Sequence, residues 1–263
     1  MDILRKSMAP ICDKAWEEIN DNAKEVLTSV LSARKFVDVD GPKGWDYPAL
    51  SLGRVDVPPG QNGDVQYGIH QVLPLVEARI PFELNIWELD NVARGALDID
   101  LDNMEEAARK LARFEENAIY NGFEAGNIKG LKNCSDHEAL ILTDDDDAII
   151  GVISEGIAKL KSASVEGPFT LILNTDLWQR FNSSGKGYPL RKRVESLLGG
   201  SIIMAPYIDD AYLVSERGGD FEMIIGQDIS IGYESHNQKT VQLYFTESFT
   251  FQCVDPAAVV VLK

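Results

Sequence analysis

The feature that most constrains the fold lies near the C-terminus. Residues 240–253, TVQLYFTESFTFQC, alternate almost without a break. Val241, Leu243, Phe245, Phe249, Phe251 and Cys253 fall on one side, and Gln242, Tyr244, Thr246, Ser248, Thr250 and Gln252 on the other. A period of two means a strand with one apolar face. This one would span roughly 40 Å, long for a globular strand. Glu247 alone interrupts the apolar side. A second run, Leu75 to Trp87, sets Val76, Ala78, Ile80, Phe82, Leu84 and Ile86 against Glu77, Arg79, Glu83, Asn85 and Trp87.

Two such strands need a long element to cover them, and the stretch after the second run supplies it. Beyond a WELDNVARG link, Met104, Ala107, Ala108, Leu111, Ala112, Phe114, Ala118, Ile119 and Phe123 recur at helical spacing. The pattern predicts a spine helix over about 103–125. It starts at Asp102 and Glu105, whose carboxylates can answer open amide groups, and stops at Gly126. Glu105 with Arg109, and Glu106 with Lys110, stand four apart and are expected to pair.

The remainder reads as follows. Residues 1–33 are helical, with Ile11, Ala15, Ile19, Ala23, Val26, Leu27, Val30 and Leu31 on one side, and 36–40 alternate. Leu52–Val57 and Val65–Ile69 flank the turn PPGQNGD and form a hairpin poor in large apolar residues. Such a hairpin has to lie on something else. Helices are expected at 149–160, 175–181 and 189–198, and strands at 169–174, 202–204, 211–215, 222–225, 229–233 and 257–262. The class is α+β.

Composition narrows the function by exclusion. The net charge is −17, from 42 acids against 25 bases, and the longest basic run is Arg191-Lys192-Arg193. Nucleic acid is therefore not the expected ligand. No apolar run is long enough to span a membrane, and the N-terminus lacks a cleavable signal layout, so a cytoplasmic location is expected. Cys12, Cys134 and Cys253 form no paired framework and are expected as reduced thiols. Cys134 and His137 lack further zinc ligands, and the acidic run at 144–147 lacks the Gly and Glu of a calcium loop. No metal site is predicted. GxSxG, HExxH, GxGxxG and GxxxxGK[ST] are all absent, so no catalytic residue is assigned.

Several phrases carry a family resemblance: RKFVDVDGPKGWDY (34–47), LPLVEARIPFELNIWELDNVARG (73–95), IKGL (128–131), EGPFTLILNTD (166–176), SERGGDF (215–221), GQDISIGYE (226–234) and FTESFTFQCVDPAAVVVL (245–262). In this order, over nearly the whole chain, they resemble the encapsulins, nanocompartment shell proteins related to tailed-phage capsid proteins. The resemblance implies an HK97-like phage capsid fold. Its parts would be an N-terminal helix and arm (1–40), a P-domain with E-loop (41–130, the loop about 48–72), an A-domain (131–224) and C-terminal P-domain strands (225–263). It implies a non-enzymatic shell of about sixty copies or more. The shell would enclose a dye-decolorising peroxidase or ferritin-like iron-storage cargo through a C-terminal targeting peptide. A prophage major capsid protein, and after it a hydrolase or protease, are the alternatives.

The resemblance also implies sites. Cargo peptide is expected on Arg34, Phe36, Val37 and Asp38 together with Ile229, Ile231 and Tyr233, which ordinary core packing would explain equally well. The loop Asn182, Ser183, Ser184, Gly185, Lys186, Gly187 and Tyr188 is expected to ring a five-fold pore, with a plain surface loop as the competing reading. No cofactor is required, although some family shells carry a flavin (FMN) near a Trp at the position of Trp87. Arg79 shares the Trp87 side of the strand, but eight strand residues are about 26 Å, too far for both to grip one flavin within a subunit. Packing is the other reading of Trp87.

Overall fold

The computed structural model describes residues 3–143, 145–183 and 189–263. In chain order the elements are α1 (Asp13–Val30), β1 (Asp38–Asp40), β2 (Ala49–Asp56), β3 (Ile69–Pro74), β4 (Val76–Asn85), α2 (Ile86–Arg94), α3 (Asp102–Tyr120), α4 (Leu131–Cys134), α5 (Asp146–Ser162), β5 (Phe169–Leu173), α6 (Thr175–Asn182), α7 (Leu190–Leu198), β6 (Gly199–Met204), β7 (Ala211–Ser215), β8 (Phe221–Ile225), β9 (Ser230–His236), β10 (Thr240–Cys253) and β11 (Val259–Leu262).

β10 is the axis of the first sheet. One of its edges pairs antiparallel with β4 from Thr240↔Asn85 to Phe249↔Val76. The other is shared end to end by β9 over 241–246 and β8 over 249–253, and β1 adds to β8 in parallel. One core joins β4, β9 and β10 to α1 and the first half of α3, through Phe82, Leu84, Met104, Leu111, Leu243 and Phe245. α1 presents Ala15, Ile19 and Ala23 to it, the two alanines letting the helix lie close around the larger Ile19.

The second sheet runs β11-β7-β5-β6, with β5 and β6 parallel and the other pairs antiparallel. Its core includes Ile149 and Ile153 of α5, Val194 of α7, and Phe249 and Phe251 of β10, so β10 reaches into both cores. α3 does the same, with Met104 to Leu111 in the first core and Ala118 to Tyr120 in the second.

Several local expectations change. The N-terminal helix is confined to Asp13–Val30, with only a short 3-10 turn at Lys6–Met8 before it. β4 stops at Asn85, and Ile86 and Trp87 begin a helix, because the Asn85 side chain accepts from Trp87 N at 2.9 Å and caps it. α3 ends at Tyr120, before the predicted stop. Gly122 then turns at φ +92° against the backbone of Ile128 and Gly130. The hairpin's return strand is Ile69–Pro74. The final strand hydrogen-bonds to β7 in the second sheet. The α3 ion pairs are as expected, Glu105–Arg109 and Glu106–Lys110 each at 2.6 Å.

Candidate functional site: a groove between α1 and β9

A groove of about 590 Å³ opens where α1 and the turn after it face the start of β9. Its apolar lining comes from Ala23, Leu27 and Leu31 on one side, and Ile229, Ile231 and Phe245 on the other. Lys24, Lys35, Arg34 and Asp228 supply charge. The volume falls in the range of sites that hold small ligands or a few side chains.

Two adjacent glutamates of α3 fix the turn. Glu116 is buried and accepts from Ser32 N and Ala33 N, each at 2.9 Å, and from the Ser32 hydroxyl. That hydroxyl also lies 2.7 Å from Tyr120 Oη. Burial pushes the Glu116 carboxyl up to about 7, against the lowering pull of the Ser32 hydroxyl and the Ala33 amide. Glu115, wholly buried, takes Arg34 in a fork: Nε donates to Oε1 at 2.9 Å and Nη2 to Oε2 at 2.6 Å. Arg34 Nη1 donates to Asp228 Oδ1 at 2.8 Å, which ties the turn to the segment entering β9.

Glu247 completes the cluster, its Oε2 lying 3.6 Å from Arg34 Nη2. One guanidinium cannot balance both buried carboxylates and Asp228 as well. Burial, and then the charge of Glu115, accordingly push the Glu247 carboxyl well above its ordinary range. Burial works against the Arg34 charge, but its bonds to Glu115 and Asp228 outweigh that and raise its affinity for the proton. The groove wall is thus tied together through Arg34, which reaches Glu115, Asp228 and Glu247.

The sequence-derived residues separate on inspection. Arg34, Ile229 and Ile231 line the groove. Phe36 packs on Tyr120 and Phe221, with ring centroids 6.2 and 6.1 Å away, and Val37 is buried in the same second core. Asp38 accepts from Gly219 N. Tyr233 is buried in the first core, with Oη 2.6 Å from His236 Nδ1. These four do not line the groove, because the chain leaves α1 through a tight turn and enters the sheet at Asp38. Leu27, Leu31, Phe245, Glu115 and Glu116 take part instead. The sequence reading missed Glu115 and Glu116; the available signal was their place four residues beyond Leu111 and Ala112, on the apolar helical stripe.

The other candidates are placed as follows. Trp87 is 69% exposed on α2. Arg79 lies on β4, stacked 4.3 Å over the Tyr244 ring and paired with Glu77 at 3.5 Å. Arg79 is thus engaged within its own sheet, while Trp87 stands on a different element, α2. Asn182 ends α6, where its Oδ1 accepts from Arg191 Nη1 at 2.9 Å, and the Ser183 hydroxyl donates to Arg180 O at 2.7 Å. Ser184, Gly185, Lys186, Gly187 and Tyr188 lie outside the described residues. Of the acidic run, Asp145 caps α5 and Asp147 pairs with Arg193 at 2.6 Å. No group of three or more His, Cys, Asp or Glu suited to a metal occurs among the described residues. Nor is any described helix long and apolar enough to cross a membrane.

With this geometry in hand, similarity to known proteins is informative. Residues 1–250 match the model of a family described as an encapsulating protein for peroxidase. A type 1 encapsulin shell protein of Rhodospirillum rubrum is 42% identical over 271 residues, covering 100% of this chain and 97% of that protein. One from Mycobacterium tuberculosis is 39% identical, with 100% of both chains covered. Among solved structures, a virus-like particle from Pyrococcus furiosus superposes with a TM-score of 0.66 at 17% identity, over 94% of this chain and 98% of that one. Gordonia phage Cozz gives 0.53 at 15% identity, over 88% and 85%.

Proposed function

The chain belongs to the encapsulin family and is an icosahedral shell protein of HK97-like phage capsid fold, and from that premise we propose that its shell encloses a cargo enzyme docked in the α1–β9 groove. The observation that carries the docking is the groove itself: an apolar floor of Leu27, Leu31, Ile229, Ile231 and Phe245, rimmed by Lys24, Lys35 and Asp228. A short peptide with alternating apolar side chains would bury them there and leave its backbone to the charged rim. The Arg34–Glu115 fork ties the turn after α1 to α3 beside that floor, which supports a preformed groove and a lower ordering cost of binding.

The cargo is a peroxidase or ferritin-like protein with a C-terminal targeting peptide, and the compartment is cytoplasmic. The unit built on β5, β6 and β7 is the axial domain, with the loop from Asn182 to Tyr188 at the five-fold pore. The hairpin β2–β3 is the E-loop. It exposes Val55, Val57, Ile69 and Val72, a surface suited to a second copy of the chain. The phage capsids share the fold alone, whereas encapsulin relatives match in sequence over the full chain.

Isolation of shells from the native host, with mass spectrometry of what they contain, tests the cargo reading. A peroxidase or ferritin-like protein should co-purify, and should be lost when its C-terminal segment is deleted. Leu27→Asp should empty the shells while leaving them closed. Cargo retained at the wild-type level in that variant would contradict docking at this groove.

A further inference from the structure

We propose that Asn62 is a site of spontaneous covalent modification, where the Gly63 amide displaces the side-chain ammonia and water converts the residue to aspartate or isoaspartate. The sequence holds two Asn-Gly pairs, Asn62-Gly63 in the turn of the β2–β3 hairpin and Asn121-Gly122 after α3. Asn-Gly is the pair in which this attack is least hindered, because Gly puts no side chain beside its nitrogen and leaves the backbone free to rotate. The fold treats the two pairs in opposite ways.

At the hairpin tip, Asn62, Gly63 and Asp64 are all exposed. Between Val57 and Gly68, the hydrogen bonds among the described residues are those of the Gln61 side chain. Its Nε2 donates to Pro58 O at 3.0 Å and to Tyr67 O at 2.8 Å, and Tyr67 N donates to its Oε1 at 2.8 Å. They clamp the base of the tip and leave the Asn62 carboxamide and the Gly63 N–H to water. Beyond the chain neighbours, the nearest atom to a Cβ at Gly63 would be Val65 O, 4.0 Å away. The backbone there has room to bring its nitrogen onto Cγ. After α3 the same groups are pinned. Gly122 N donates to Ala118 O at 3.1 Å, Asn121 Nδ2 donates to Asn117 Oδ1 at 3.3 Å, and Asn121 O accepts from Asn133 Nδ2 at 3.0 Å. A Cβ on Gly122 would meet Gly130 N and Ile128 O at 3.0 Å, so that turn cannot swing its nitrogen onto the Asn121 side chain.

In the reaction, Gly63 N gives its proton to water and attacks Asn62 Cγ. The Cγ–Nδ2 bond breaks, Nδ2 takes up a proton and leaves as ammonia, and a cyclic imide closes. Water then adds to one of the two imide carbonyls. Opening at Cγ gives aspartate, and opening at the backbone carbon leaves Gly63 linked through Cγ, as isoaspartate. No electrons are exchanged, and one amide and one water become a carboxylate and an ammonium ion. The stretch from Gln61 to Gln66, in which Asp64 is the sole charged residue, gains a second negative charge.

The purified full chain, kept warm at mildly alkaline pH, digested and mapped by mass spectrometry, tests this, with isoaspartate tagged by an isoaspartyl methyltransferase. In the native protein the Asn62 amide should be lost to aspartate and isoaspartate while Asn121 keeps its amide. In denaturant both should convert. Gly63→Val and Asn62→Gln, each at an exposed position, should suppress the native conversion at position 62. An Asn62 amide that survives in the native protein while converting in denaturant would overturn the proposal. So would equal loss at Asn62 and Asn121 in the native protein, or conversion at the wild-type rate in Gly63→Val.

Discussion

Arg34 is where stability and binding meet. It touches Glu115 and Asp228 within 2.8 Å and Glu247 at 3.6 Å. Removing it leaves buried carboxyls without a counter-charge, a change that typically costs about 3–5 kcal/mol. Arg34→Leu should therefore shift denaturant unfolding strongly to lower concentrations. A midpoint close to the wild type would mean that Glu115 and Glu247 simply share protons and need no cation. Glu116 gives a pH signature. Its folded value of about 7 lies above the ordinary 4.5, so it contributes stability below about pH 4.5 that is lost as pH rises through about 7. Glu247 acts with the same sign. In Glu116→Gln the fall in unfolding midpoint between about pH 5 and about pH 7 should be shallower than in the wild type. At this scale the sequence was half legible. Arg34, Ile229 and Ile231 follow from the resemblance, and Glu247 announced itself as an acid on an apolar face. Glu115 and Glu116 were hidden among 42 acids, although their helical positions belong to the buried stripe.

Among the elements, α3 and β10 were readable because each carries one unbroken period over many residues. α2 was not, since Ile86 and Trp87 continue the alternation of β4 and the switch rests on one cap. Asn85 followed three residues later by Glu88 is the local sign of a helix start. The end of α3 depends on backbone geometry that no side-chain period records. Gly122 sits at φ +92°, and a Cβ there would lie 3.0 Å from Gly130 N and Ile128 O. Gly122→Ala should cost about 1–3 kcal/mol through strain and contact, read as a lower thermal midpoint. An unchanged midpoint would show that the turn relaxes freely. The sheet membership of β11 was equally unreadable, because its apolar run suits either sheet.

For the whole molecule, the β2–β3 arm exposes Val55, Val57, Val65, Tyr67, Ile69 and Val72, and its two strands pair with each other. An isolated two-stranded hairpin is marginal in water, so the arm is expected to be completed by a neighbouring copy. Deleting residues 54–70 should leave folded subunits with native far-ultraviolet circular dichroism that fail to close, as seen by light scattering. Closed shells from that variant would take assembly away from the arm. The most direct measurement is electron microscopy of the full chain expressed alone. The account predicts uniform, closed, icosahedral particles without any partner present. A sample of monomers and small oligomers at the same concentration would contradict it.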